Sequence, residues 1–298
     1  MLDRESTFAD AEIIKTLQTK FVSVAIDQAY QRRQKDTEGD FYRGIAKDSP
    51  RGDGSNGGTT QGLYIATPDG KYLGYTNHRS PERIKKFIAE SLAKFKPTNV
   101  DSIKPEKIDR RYHPVLPKGG LVVRVQARVL DGYEPTDNKW QKIFQSSLSR
   151  DNLWLTNKEH ESIVNGVIPA KVQRRVARFH LVDNTRGEPP MWRDDEIKSI
   201  NMKLENGKLT GNASLSTRDG SRTFDCDFYG YVKTSDGMIT RFDVIALGKF
   251  FGEGTYTKNA PKGKFPLGIS FTLADGKDVA DPIPPQASRG WLDGYLKN

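Results

Sequence analysis

The sequence predicts an α+β protein of two domains, a partial α/β domain followed by a mainly antiparallel β domain with a few helices. Three observations predict it. Residues 9–95 read as a helix, a short buried strand, a second helix, a hairpin and a closing helix, half of an α/β sandwich. Four prolines then interrupt the stretch from Lys96 to Gly119. After Trp192, alternating apolar runs are separated by Asn-Gly and Asp-Gly pairs, the strongest short-range hairpin signal. The boundaries that follow are 1–96 for the first domain and 97–119 for a Pro/Lys-rich linker. The β-rich domain takes 120–298, with a helical insertion at 137–180 and an extended tail. A chain of 298 residues is long enough for two cores.

In the first domain, residues 9–19 place Ile13, Ile14 and Leu17 on one helical face behind Asp10 as N-cap. Phe21 to Asp27 (FVSVAID) is a short, nearly continuous apolar run and predicts a buried strand. A charged helix is expected from about Gln28 to Ala46. The Gly, Ser and Asp of Asp48–Gly58 predict a mobile loop, in which Arg51-Gly52-Asp53 is an adhesion tripeptide by spelling only. Gln61–Ala66 and Lys71–Tyr75 flank Pro68-Asp69-Gly70 and predict a hairpin. Ser80-Pro81 opens an amphipathic helix to about Phe95, with Ile84, Phe87, Ile88 and Leu92 inward.

The blocks Met1, Asp3-Arg4-Glu5-Ser6, Phe8-Ala9-Asp10, Phe21-Val22, Val24 and Ile26-Asp27 resemble a branch of the thioredoxin superfamily. The later PDGKYLGY and SPERIKKFI are similar to that family's closing hairpin and final helix. The resemblance covers about residues 1–95. It implies a thioredoxin-like domain, with two departures. The family's redox cysteines fall just before the front block, which here would lie upstream of Met1. Where the family places a cis-proline, this chain reads Thr59-Thr60-Gln61-Gly62. Cys226 is the one cysteine and reads as core filler, so dithiol exchange and a thiolate zinc site are both excluded for the chain as given. The implied function is a redox-inactive binding or interaction module. The alternative is a thiol–disulfide oxidoreductase whose CxxC pair lies upstream of Met1.

In the second domain, Leu121–Leu130 alternates Val123, Val125, Ala127 and Val129 against polar partners and predicts a half-buried strand. Helices are expected over 137–148, over 156–165 with a capping box at Thr156 and Glu159, and over 170–179 with its arginines outward. Strands are expected at 197–204, 208–216, 223–233, 238–250 and 267–273, forming an antiparallel sandwich or partly closed barrel. The aromatics of Gly290–Leu296 should dock on the body.

Arg178–Trp192 (RFHLVDNTRGEPPMW) is the densest polar stretch and reads either as a tight structural turn or as a functional loop. Candidate catalytic residues are His180 as a general base and Asp183 as its orienting carboxylate, a hydrolase-like arrangement. Candidate ligand-binding residues are Arg186 and Glu188 in that loop, with Arg241, Asp243, Glu253 and Tyr256 flanking the longest apolar strand. Arg186 or Arg241 paired with Asp243 or Glu253 is the structural alternative. His78, His113, His160 and His180 lack metal-ligand spacing, and His160 is expected on a solvated helix. No metal and no cofactor are expected. The partner is expected to be a protein or a small polar ligand. The surplus of 47 Lys and Arg over 38 Asp and Glu is scattered, so nucleic acid is not expected. No apolar run reaches membrane-span length and the given N-terminus shows no basic and apolar leader, so the chain as given reads as soluble, cytoplasmic by default and exported if a leader was removed.

Overall fold

The protein is described here by a computed structural model covering residues 6–97, 108–288 and 291–297. The block Met1–Glu5, much of the expected linker and Gly290 lie outside the described residues. Mixed helix and sheet are distributed over two compact units, one of Leu2–Pro114 and one of Val115–Asn298 with Met1. No helix among the described residues is long and apolar enough to cross a membrane.

The first unit begins with α1 (Ala11–Lys20), whose first backbone N–H groups donate to the Asp10 carboxylate at Glu12 and Ile13 (3.0 and 3.1 Å). The expected strand at 21–27 is absent. Val22 is 95% exposed, and no strand pairs with the segment. The run is tied at both ends instead. Phe21 packs on the core, and Asp27 accepts from Ala29 N–H (2.9 Å) to start α2 (Gln28–Gln31). Apolar content alone does not make a strand when no neighbouring edge takes its hydrogen bonds.

The expected helix 28–46 is also divided, because Asp36 caps a new start at α3 (Thr37–Lys47) by accepting from Gly39 N–H (3.0 Å). A Cβ on Gly39 would come within 2.1 Å of the Gln34 carbonyl oxygen, so the tight corner requires glycine. The hairpin β1 (Leu63–Ala66) and β2 (Tyr72–Thr76) follows, then α4 (Pro81–Lys94). Ile13, Ile65, Leu73, Ile84 and Ile88 form the small shared core.

The second unit contains β3 (Leu121–Val129), α5 (Lys139–Ser146), β4 (Asp151–Leu155), α6 (Asn157–Val164) and α7 (Ala170–Arg175). Five long strands follow: β5 (Ile197–Glu205), β6 (Lys208–Ser216), β7 (Thr223–Ser235), β8 (Met238–Phe251) and β9 (Phe265–Leu273). A short C-terminal helix, α8 (Leu292–Lys297), ends the chain. The strands make one curled antiparallel sheet in the order β4-β3-β9-β8-β7-β6-β5, not two stacked sheets. The tight turns behave as their dipeptides require: Asn206 and Gly207 have φ of 51 and 76°, Asp236 and Gly237 of 52 and 72°. Positive φ at both central residues matches the right-handed strand twist.

Strand alternation puts Phe224, Phe228, Val232, Phe242, Val244 and Phe250 on the inner face. α7 and the turn after it lie across the open side of the curl, touching the edge strand at each end of the sheet. Gln173 accepts from the Met202 backbone N–H of β5 (2.9 Å), and Arg175 donates to the Trp154 carbonyl of β4 (3.1 Å). Edge groups that would otherwise seek another strand are thereby occupied.

Candidate functional site

The helix leading into Arg178–Trp192 does not stay α-helical. Residues Val176–His180 form a π-turn, closed by Leu181 N–H donating to the Val176 carbonyl (3.0 Å). At 3.6 residues per turn, positions 175 and 180 would point roughly 140° apart. The wider turn lets both reach Tyr295 of α8. Arg175 Nε donates to the Tyr295 carbonyl (2.9 Å) and its guanidinium lies 5.2 Å from that ring, while His180 Nε2 sits 2.8 Å from the Tyr295 hydroxyl. Expecting the arginines of this helix outward is therefore wrong for Arg175. It is fully buried, forked onto both Glu159 oxygens (2.9 and 2.8 Å) and onto carbonyls of α8.

His180 is 2% exposed and stands between two groups. Its Nδ1 lies 3.3 Å from Asp151 Oδ2, and Nε2 faces the Tyr295 hydroxyl. That hydroxyl also accepts from Trp154 N–H (3.4 Å). With the Tyr295 hydroxyl donating to Nε2, the Nδ1 side of the ring faces Asp151 without forming a hydrogen bond to it. Burial pushes the Tyr295 hydroxyl well above its ordinary pKa, which keeps its proton in place. Asp151 Oδ1 meanwhile accepts from Gln286 N–H (3.0 Å). Asp151, His180 and Tyr295 thus join strand β4, the π-turn and the C-terminal tail.

The expected pairing of His180 with Asp183 is not what forms: the carboxylate beside His180 belongs to Asp151. Asp183 is buried and accepts from Thr185 N–H (3.1 Å) and Thr185 Oγ1 (2.6 Å), with Arg186 at 2.6 Å on its other oxygen. Arg186 also donates to the Thr257 carbonyl (3.2 Å) and to the Tyr133 hydroxyl (2.9 Å). Asp183, Thr185 and Arg186 are thus engaged within the unit, while the buried Asn184 Oδ1 accepts no hydrogen bond among the described residues. Glu188 is exposed.

The second expected cluster is split. Arg241 and Asp243 lie near one end of the 14-residue β8, bridged to each other, while Glu253 and Tyr256 follow its other end. At about 3.3 Å per strand residue, nearly the whole length of β8 separates Arg241 from Glu253. Glu253 pairs with Lys258 (3.0 Å). The stretch 253–257 does meet the 183–190 loop, by backbone contact. A Cβ on Gly187 would fall 2.1 Å from the Tyr256 carbonyl oxygen, and one on Gly254 would fall 2.3 Å from Pro190 Cδ. The two loops approach too closely there to admit even a methyl group.

His160 corrects another expectation. It is buried, and its Nε2 accepts from Ile239 N–H of β8 (3.2 Å). The imidazole satisfies a backbone donor that would otherwise be orphaned. Cys226 lies on the inner face, where burial first and Asp227 second push its thiol up to about 12.

The surface not consumed in this way is the outer face of β7 and β8. Tyr229, Tyr231, Ile245 and Leu247 are 52, 52, 40 and 41% exposed. Tyr229 is directly opposite Ile245, and Asp227 is opposite Leu247. The other two are one outward position further along, so the four make one block on central strands, where an antiparallel sheet facing water is normally polar. Arg241 and Asp243 sit at its border, with the Arg241 guanidinium 5.8 Å from the Tyr231 ring.

No family model, curated protein or solved structure matches the chain.

Proposed function

We propose that the protein is a binding module whose contact surface is the outer face of β7–β8, carried by a unit in which the His180 loop is scaffold. The observation that carries the reading is the exposed Tyr229, Tyr231, Ile245 and Leu247 block on interior strands of the sheet. Aromatic residues with a polar end are the side chains enriched in protein contact surfaces. The clustering of two tyrosines with Ile245 and Leu247 favours a protein partner over a small polar ligand. The scaffold reading of His180 is supported by its burial and by partners that are all engaged in holding the tail. A general base must reach its substrate.

The first unit fits the same proposal as a thioredoxin-like module without a dithiol. Supporting it are the hairpin β1–β2 followed directly by α4 packed on β2, and Cys226 as the one cysteine. Insulin turnover no faster than that of a Cys226→Ser control is the result expected for it.

The test of the contact surface compares wild type with a Tyr229→Asp/Leu247→Asp variant, each immobilised and exposed to lysate of the source cells. The proposal expects proteins held by wild type to be lost from the variant, with melting temperature changed by no more than about 2 °C. The same proteins held by both chains would overturn it.

A further inference from the structure

We propose that this face binds a second copy of the chain, in a two-fold contact registered by charge; the inference rests on the contact-surface reading above. In the outward row of β7 the segment that follows Asp225, itself opposite Lys249 of β8, reads Asp227, Tyr229, Tyr231, Lys233. Turned end for end, that segment is its own complement. A two-fold axis lying between two copies and crossing β7 at Gly230 sets Asp227 of each against Lys233 of the other. The same operation sets Tyr229 against Tyr231. An isologous contact needs a patch that is complementary to itself in this way.

Within one copy, the charges at the two ends of the segment are poorly matched. Lys233 stands directly opposite Arg241 on β8, like charge against like. Arg241 is bridged to Asp243, which leaves Lys233 as the surplus cation at that end. At the other end Asp227 stands opposite Leu247, an apolar neighbour. A second copy supplies each with the opposite sign. It also stacks Tyr229 on Tyr231, the aromatic anchors such contacts use, while on β8 the same operation lays the bridged Arg241 and Asp243 over Leu247 and Ile245. The alternation that aims this row outward aims Phe228 and Val232 into the core, so the face is held rigid from beneath.

Sedimentation equilibrium on the full chain, from about 1 µM to about 1 mM, tests the proposal. Wild type is expected to pass from monomer to dimer within that range, and Tyr229→Asp, which faces Tyr231 of the other copy, to stay monomeric. Two single reversals make the register itself testable. Asp227→Lys alone places Lys against Lys at both contacts of a homodimer, and Lys233→Asp alone places Asp against Asp. Each is expected to raise the dissociation constant at least tenfold. Mixed in equal amounts, the two variants restore both contacts and should form a heterodimer about as tight as the wild-type dimer. Circular dichroism of each variant checks that the fold is kept.

A monomer at every concentration overturns the second copy as occupant. The capture experiment then decides separately whether the face binds anything. Single reversals that dimerise like wild type, or a mixture that stays monomeric, overturn the charge register.

Discussion

The clasp around His180 and the open face of β7–β8 invert the usual rule in opposite directions. The clasp buries charge: Arg175, Glu159 and Asp151 are drawn inside with His180. The face exposes aromatic and aliphatic side chains that the same strands could have buried. What separates them is whether partners lie within reach. In the clasp, Arg175 spends its guanidinium on a carboxylate and three carbonyls, which is the condition for burying a cation without a large penalty. On the face, the apolar block has only its own neighbours. Buried polarity here marks architecture, and exposed apolarity marks contact.

Removing one half of the buried pair is the strongest way to break that comparison. Arg175→Met leaves the Glu159 carboxylate inside without its cation and three carbonyls without their donor. A loss of about 3–5 kcal/mol is expected in the unfolding free energy from urea titration. Adding Glu159→Leu should return much of it, because the stranded charge goes too. A single variant costing less than about 1 kcal/mol would mean that the clasp does not hold the tail.

Smaller but sharper is the substitution at the histidine. His180→Ala removes the group between Asp151 and Tyr295 and is expected to cost about 1–3 kcal/mol. Amide exchange at Trp154, whose N–H donates to the Tyr295 hydroxyl, should quicken with it. Full stability in this variant would return the loop to the list of candidate ligand sites.

Much of the scaffold was legible before the structure. The meander was readable because Asn206-Gly207 and Asp236-Gly237 adopt the conformation that their dipeptides favour, and because strand burial has a period of two. The capping box at Thr156 and Glu159 formed where its spacing put it. Three things were not legible, each for a physical reason. The clasp needs Arg175 and His180 together, and only a π-turn changes the helical period enough to bring them so. The docking of the tail aromatics was expected, and Tyr295 is fully buried, but its partners His180 and Asp151 lie far away in sequence, and long-range partners leave no local spacing to read. The apolar run at 21–27 failed as a strand because pairing depends on an available neighbour, which its own residues do not encode. The outer face was half visible: Arg241 and Asp243 were singled out, but the tyrosines beside them register as ordinary alternation until the strands are aligned.

The third effect depends on pH. Asp281, 5% exposed at its side chain, accepts from Arg124 Nε and stands beside Arg150. The Arg124 hydrogen bond first, working against burial, holds its carboxyl below the usual 3.8. The folded state therefore holds the proton less tightly than the unfolded chain. The stability this supplies is whole above about pH 4, where an unfolded aspartate is ionised. It is lost as the pH falls through the lower folded value. Denaturant midpoints taken from pH 5 down to pH 2.5 should drop more steeply for wild type than for Asp281→Asn. Parallel curves would remove Asp281 from the tie between the tail and β3.

The smallest expected effect comes from the face, and its smallness is the point. Leu247→Lys puts a cation on the outer side of β8, opposite Asp227, where it gains a cross-strand partner of opposite sign. It removes one half-exposed aliphatic group from water-facing surface and touches nothing in the core. Unfolding free energy measured on the monomer, at low concentration, should shift by no more than about 0.5 kcal/mol in either direction. If the face were merely the outside of a folding scaffold, Leu247 would be packing against its neighbours and the change would cost more than that. A near-zero shift on the monomer, set beside a loss of 3–5 kcal/mol at Arg175, would place the stability of this unit inside the curl and leave the face free for a partner. A loss above about 1.5 kcal/mol would put Leu247 with the scaffold and remove the contrast on which the contact-surface reading is built.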